Sequence, residues 1–286
     1  MTNSAKRFDI TFHGVSPTNF VVSEWQHVSG RCLKYVIYEW TLAAYFIFAF
    51  SLSIYTSGKE HQWKYYVIYL TNWNVTLNVI SSLMGAILKT LHYNRTLLVE
   101  NKQREVTRTL NAYWLLSNLS AVMSISISTT YWTLDDSGHY ELNDILAHTG
   151  NSIIFLFDTF IHARPSRQGH LIYPLAFGFI YLFWFCLPYS LLGMLNINDE
   201  PYIYPSLDWK NHTGFAILNA FLFLGLIVLV HSVINFLISA RIYIHKKYKL
   251  RKSYKSNRDG IDLNEMNTEM LLQSEDHHQS TDSLFS

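Results

Sequence analysis

Thr71 and His148 stand at matching places in two apolar stretches of a 286-residue chain, seven residues after Lys64 and six after Leu142, where those stretches begin. At a helical rise of 1.5 Å per residue both would lie roughly 10 Å inside the same boundary, able to face one another across a shared cavity. A threonine hydroxyl is a weak nucleophile until a base removes its proton, and neutral imidazole is the usual base near pH 7. Such a pair suits acyl transfer or ester hydrolysis. The structural alternative is that Thr71 bonds a carbonyl one turn back and His148 is a packing hydrogen-bonder.

A second set of residues suggests a charged layer at the opposite depth. Glu39, Lys89 and Asp158 each fall a few residues from the other boundary of their stretches. Mutual pairing, with Asp158 as a partner of Lys89, would offset the cost of taking them out of water. The other reading of this layer is a proton or ion path. His162 shares a helical face with His148, Ser152, Phe155 and Thr159, while Asn151 and Asp158 lie on its flank. His231 and Asn235, one turn apart, can join the layer. Thr71, Asn78, Ser82, Gly85 and Lys89 also share one face, and a stripe of small and polar residues usually marks close helix packing.

The elements that position these residues follow from composition. Half of the chain is apolar (49%), gathered into six blocks each long enough to cross a bilayer. They are Leu33–Tyr55, Lys64–His92, Leu110–Trp132, Leu142–His162, Leu171–Gly193 and Gly214–Ile244. Open sheet edges are not tolerated in lipid, so the expected fold is all-α: a polytopic membrane protein with six transmembrane helices. This divides the chain into an N-terminal segment (1–32), a membrane domain (33–245) and a C-terminal tail (246–286) that is first basic and then expected to be disordered.

Lys and Arg concentrate in the N-terminal segment, the second and fourth loops and the tail, whereas acidic residues such as Asp135, Asp136, Glu141, Asp199, Glu200 and Asp208 concentrate in the third and fifth loops. The positive-inside rule then places both termini in the cytoplasm. The first 30 residues hold no compact apolar core of a signal peptide, so the first span is expected to act as an uncleaved anchor. Cys32 and Cys186 fall near opposite membrane faces, out of reach of one another. Asn211-His212-Thr213 is a glycosylation sequon on the expected outer side. No phosphate loop, Gly-x-Ser-x-Gly or His-Glu-x-x-His pattern occurs, His277-His278 is too isolated for a metal site, and no cofactor, metal or nucleic-acid partner is expected.

Several of these residues lie in recognisable segments. Tyr69-Leu70-Thr71-Asn72-Trp73, Leu77 and Ser81-Ser82-Leu83-Met84-Gly85-Ala86 resemble the second span of the rolling stone family. His148-Thr149-Gly150-Asn151-Ser152, with Asp158, Pro165 and Tyr173-Pro174, resembles its fourth-span region, and Tyr202–Trp209 its last outward loop. The resemblance implies a multi-pass protein associated with myoblast fusion. A more distant similarity, to the androgen-induced and androgen-dependent TFPI-regulating hydrolases of fatty-acid esters, implies Thr71 and His148 as the reacting pair. Those hydrolases carry a second histidine where this chain has Asn151 or Ser152. The expectation is therefore an integral protein of the plasma membrane, acting among membrane lipids in myoblast fusion or a related membrane process, with an unidentified protein partner. The alternative is a threonine/histidine hydrolase of a lipid ester.

Overall fold

The computed structural model describes residues 15–26, 31–59, 63–94, 103–134 and 142–282, with side chains of the last helix described as far as Arg251. Lys6, Arg7, Arg95, Lys102, Asp135, Asp136 and Glu141 of the charge pattern lie outside the described residues, and so do the side chains of His277 and His278. Among the described residues the elements are helical, apart from a single antiparallel bridge between Ser23 and His162.

Among the described residues, six long helical rods correspond to the six blocks. We number the helices α1 (Leu33–Lys59), the short α2 (Trp63–Tyr66), α3 (Leu70–Tyr93), α4 (Gln103–Leu134), α5 (residues 142–161), α6 (Gln168–Leu191) and α7 (Thr213–Asp282). Helices α1, α3, α6 and the Thr213–Arg251 part of α7 are long and apolar enough to span a membrane. The polarity of α4 and α5 is turned inward, since Ser117, Ser120, Ser124 and Ser128 of α4 and Asn151 of α5 are buried. Large apolar side chains point outward instead: Phe48 on α1, Ile87 on α3, Phe157 on α5, Trp184 on α6 and Phe221 on α7. Polar residues inside and apolar ones outside is the arrangement of an integral membrane protein, because lipid solvates the apolar faces while backbone and side-chain polar groups must be satisfied within.

The second block is not one helix, as the continuous reading from Lys64 to His92 has it. It breaks at residues 67–69, where Tyr69 is extended (φ −88°, ψ 128°) before α3 starts at Leu70. Side chains of the first turn of α3 hold the break open. Asn72 Nδ2 donates to the Tyr66 carbonyl at 2.7 Å and Trp73 Nε1 to the Val67 carbonyl at 2.6 Å. Two tyrosines from distant segments complete it: Tyr181 donates to the Ile68 carbonyl, and the Leu70 N–H donates to the Tyr204 hydroxyl at 3.0 Å. Thr71 therefore sits in the first turn of α3, not two turns into a longer rod.

Helix α5 changes pitch. Leu142–Asp144 and Asn151–Ile161 are α-helical, but Ile145–Gly150 is a π segment. A wider turn exposes carbonyls to partners outside the helix. Here the Leu146 carbonyl takes the Tyr45 hydroxyl at 2.8 Å and the His148 carbonyl takes the Ser128 hydroxyl at 2.6 Å. At the other end of α5 the N-terminal segment folds back on the bundle. Phe20, Val21 and Val22 are buried with Leu88, Leu110, Tyr113 and Trp114, and the Ser23 hydroxyl and Trp25 indole donate to the carbonyls of Ile161 and Phe160.

The last helix continues through the polar tail to Asp282, where composition favours disorder. A chain extending from an existing helix escapes the nucleation cost, and this stretch holds one glycine, Gly260, and no proline. The chain divides into two units, residues 1–239 and 240–286.

Gly150 closes the π segment, and a Cβ there would fall on the Tyr45 hydroxyl. Gly150→Ala is expected to lower stability by about 1–3 kcal/mol, as overpacking does. Tyr45→Phe in the same chain should recover part of that loss in a thermal melt, since it removes the obstructing oxygen.

Candidate functional site

The break before α3 and the π segment of α5 open onto the same space. A cavity of about 840 Å³ lies at this end of the bundle, walled by α1, the residues around the break, α4, the start of α5, α6 and the 196–207 connection. Thr71 and His148 both line it. Thr71 is half-buried in the first turn of α3, where the Leu70 N–H is taken by the Tyr204 hydroxyl and the Asn72 N–H by the Tyr69 carbonyl. His148 is buried, its ring stacked on Tyr131 at 3.8 Å between centroids with 7° between planes. The wall around them is rich in hydroxyl groups: Ser53, Thr56, Thr130, Tyr66 and Tyr204 contribute, with Leu182, Ile203 and Phe223 as apolar patches. A cavity of this size and mixed character accommodates a small amphiphile. Chemically, it brings a hydroxyl, an imidazole and the N-terminal turn of a helix to one cavity. Among the described residues there is no group of three or more His, Cys, Asp or Glu arranged to hold a metal ion.

The connection after α6 shapes the cavity's cover. Asn196 Oδ1 accepts the N–H groups of Asn198 and Glu200, and Asp199 turns the chain with a positive φ of 59°. Asp208 then fastens the turn before α7, accepting the N–H groups of Lys210 and Asn211 and the Asn211 side-chain amide. Burial alone would raise the Asp208 carboxyl, but these donors and His212 reverse that and hold it below the ordinary carboxylate range. Asn211 is exposed at this corner, with its amide on Asp208 at 3.1 Å.

The expected charged layer is a buried cluster at the far end of the bundle, with different pairs. Lys89 pairs with Glu39 at 2.8 Å, not with Asp158. Asp158 pairs with Arg164 at 2.7 Å. Tyr113 joins the two pairs, its hydroxyl accepting from Lys89 Nζ and from Arg164, each at 2.5 Å. Tyr38 donates to the second oxygen of Asp158 at 3.3 Å, and His162 lies 3.9 Å from the carboxylate. Gly85 keeps α3 close, since a Cβ there would lie 2.9 Å from the Tyr113 hydroxyl. His231 and Asn235 are outside this cluster. His231 Nε2 meets the Arg167 carbonyl at 3.1 Å, and Asn235 donates back to the His231 carbonyl one turn earlier.

Arg164, Tyr113 and Tyr38 are the members that sequence reasoning missed. Arg164 lies two residues past the expected end of its span and reads as an orientation charge. Its spacing of six from Asp158 was the available signal. Asn78 of the stripe serves packing: its amide and that of Asn74, also on α3, both donate to the Ser124 hydroxyl of α4 at 3.0 Å.

The pairing fixes the outcome of charge removal. Lys89→Met leaves Glu39 buried without its cation, a loss on the order of 3–5 kcal/mol. Glu39→Gln should restore folded yield in the Lys89→Met background, as read by size-exclusion of the detergent-extracted protein, whereas Asp158→Asn should lower it further by stranding Arg164.

A family model described as Protein rolling stone matches residues 3–257. The protein rolling stone of Drosophila melanogaster is 30% identical over 206 residues, which cover 67% of this chain and 72% of that protein. No solved structure matches.

Proposed function

This chain belongs to the rolling stone family, and from that premise we propose that it is a membrane-embedded hydrolase of a lipid ester, with Thr71 as nucleophile and His148 as its base. The observation that carries this reading is a single cavity lined by both residues. Thr71 Oγ1 adds to the ester carbonyl carbon as its proton passes to His148. The oxyanion lies at the N-terminal end of α3, where the helix dipole favours negative charge. Collapse breaks the bond to the alcohol, which leaves with the proton from His148, and the acyl group remains on Thr71. Water then gives a proton to His148 and adds to the acyl carbon, and the acid departs as Thr71 regains its proton. Ser128, bonded to the His148 carbonyl, and Tyr131, stacked on its ring, are positioning residues.

Thr71→Ala, His148→Ala and the double variant should lose similar amounts of ester hydrolysis, since residues that act as a unit are strongly non-additive. Purified protein should react with a fluorophosphonate probe, and Thr71→Ala should not. Native protein that neither hydrolyses esters nor reacts with the probe sinks the enzyme reading.

A second reading rests on the family alone: a non-enzymatic protein of the plasma membrane, acting in myoblast fusion or a related membrane process with an unidentified protein partner. It keeps the cavity as a lipid-binding site. Both readings require the cavity to open on the outer leaflet, with both termini in the cytoplasm as the Lys and Arg distribution favours. An epitope tag at the C-terminus should accordingly be invisible to antibody on intact cells and visible after permeabilisation. Surface staining of intact cells would invert the bundle.

A further inference from the structure

The cavity wall carries a charge and an aromatic content that select among ligands. Seven tyrosines line it, among them Tyr69, Tyr131, Tyr181 and Tyr204. Its formally charged residues are both acidic, Asp144 from the start of α5 and Glu200 from the connection before α7. No lysine or arginine lines it among the described residues. Outside the cavity, the ammonium of Lys64 sits over the ring of Tyr65, a wall residue, at 4.6 Å from its centroid. A ring face carries negative electrostatic potential, and a cation that is hard to hydrate gains most from it.

We infer that the cavity takes an amphiphile whose head bears a permanent positive charge, a quaternary ammonium group, with its acyl chain running along the apolar patch at Leu182, Ile203 and Phe223. An anionic head would meet Asp144 and Glu200 with no basic side chain on the wall to pair with, so free carboxylates and phosphate monoesters are excluded as preferred heads. This deepens the hydrolase reading, because it names the head of the ester that the Thr71 wall would meet, yet binding does not require turnover.

The test measures binding with catalysis removed. Full-length Thr71→Ala protein in nanodiscs is titrated with three esters of one chain length, followed by tyrosine and tryptophan fluorescence. The probes are lauroylcholine (cationic), monolauroylglycerol (neutral) and lauroyl lactate (anionic). Lauroylcholine should bind roughly fivefold or more tighter than the neutral ester, the range that cation–ring contacts supply, with the anionic ester weakest. Glu200→Gln and Asp144→Asn, each added to Thr71→Ala, should reduce that preference while leaving monolauroylglycerol affinity in place as the measure of an intact cavity. Equal affinity for the cationic and neutral esters, tightest binding of the anionic one, or binding of none would overturn the inference. Hydrolysis by the native protein is scored separately, so selective binding without turnover overturns the hydrolase reading and leaves the ligand class standing.

Discussion

Two ion pairs meet inside the bundle through the phenol that both of their cations bond, and the packing of this protein depends on that meeting. Glu39 comes from α1, Lys89 from α3, Tyr113 from α4, and Asp158 and Arg164 from the end of α5 and the residues after it. In a hydrocarbon surround, a helix gains little from burying one more leucine against its neighbour, since lipid tails are equally apolar. Polar pairing is what distinguishes one arrangement of the rods from another. Charge neutrality makes the cluster tolerable at depth, and the cost of leaving any member unpaired makes the arrangement specific. The Val15–Gln26 segment reinforces the same end, packing Phe20, Val21 and Val22 against Leu88, Tyr113 and Trp114 and tying Ser23 to the end of α5.

From that anchored end, a ladder of neutral polar contacts leads toward the cavity. Asn74 and Asn78 of α3 reach Ser124 of α4, Ser152 of α5 donates to the Ser124 carbonyl, and Ser128 bonds the carbonyl of His148. Each contact is modest, but each closes a group that would otherwise be unsatisfied where there is no water. The cavity end is thus held by hydrogen bonds rather than charge, and its wall is free to be shaped by irregular backbone: the break at residues 67–69, the π segment and the 196–207 connection.

How much of this was legible in the sequence follows from what periodicity records. Six apolar blocks announce six rods, because length and hydropathy are local quantities. Depth along a rod is also readable, and it placed Glu39, Lys89 and Asp158 in one layer and Thr71 and His148 in another. Azimuth between rods is not local, so Lys89 was paired with Asp158 when its partner is Glu39. The break before α3 has no proline or glycine to mark it. It is stabilised by Asn72 and Trp73 from within and by Tyr181 and Tyr204 from more than a hundred residues away. Arg164 was hidden by its address just outside a span, and Tyr113 by looking like any other aromatic on an apolar face.

The π segment of α5 acts as a phase adapter. A residue added to one turn rotates everything after it by about 100° relative to a plain helix. His148 within that segment addresses the cavity, and Asp158, past it, addresses Arg164 and Tyr38. On a plain α-helix their separation of ten positions would set a different angle between the two directions. With the wider turn, one rod serves two chemically unlike surroundings.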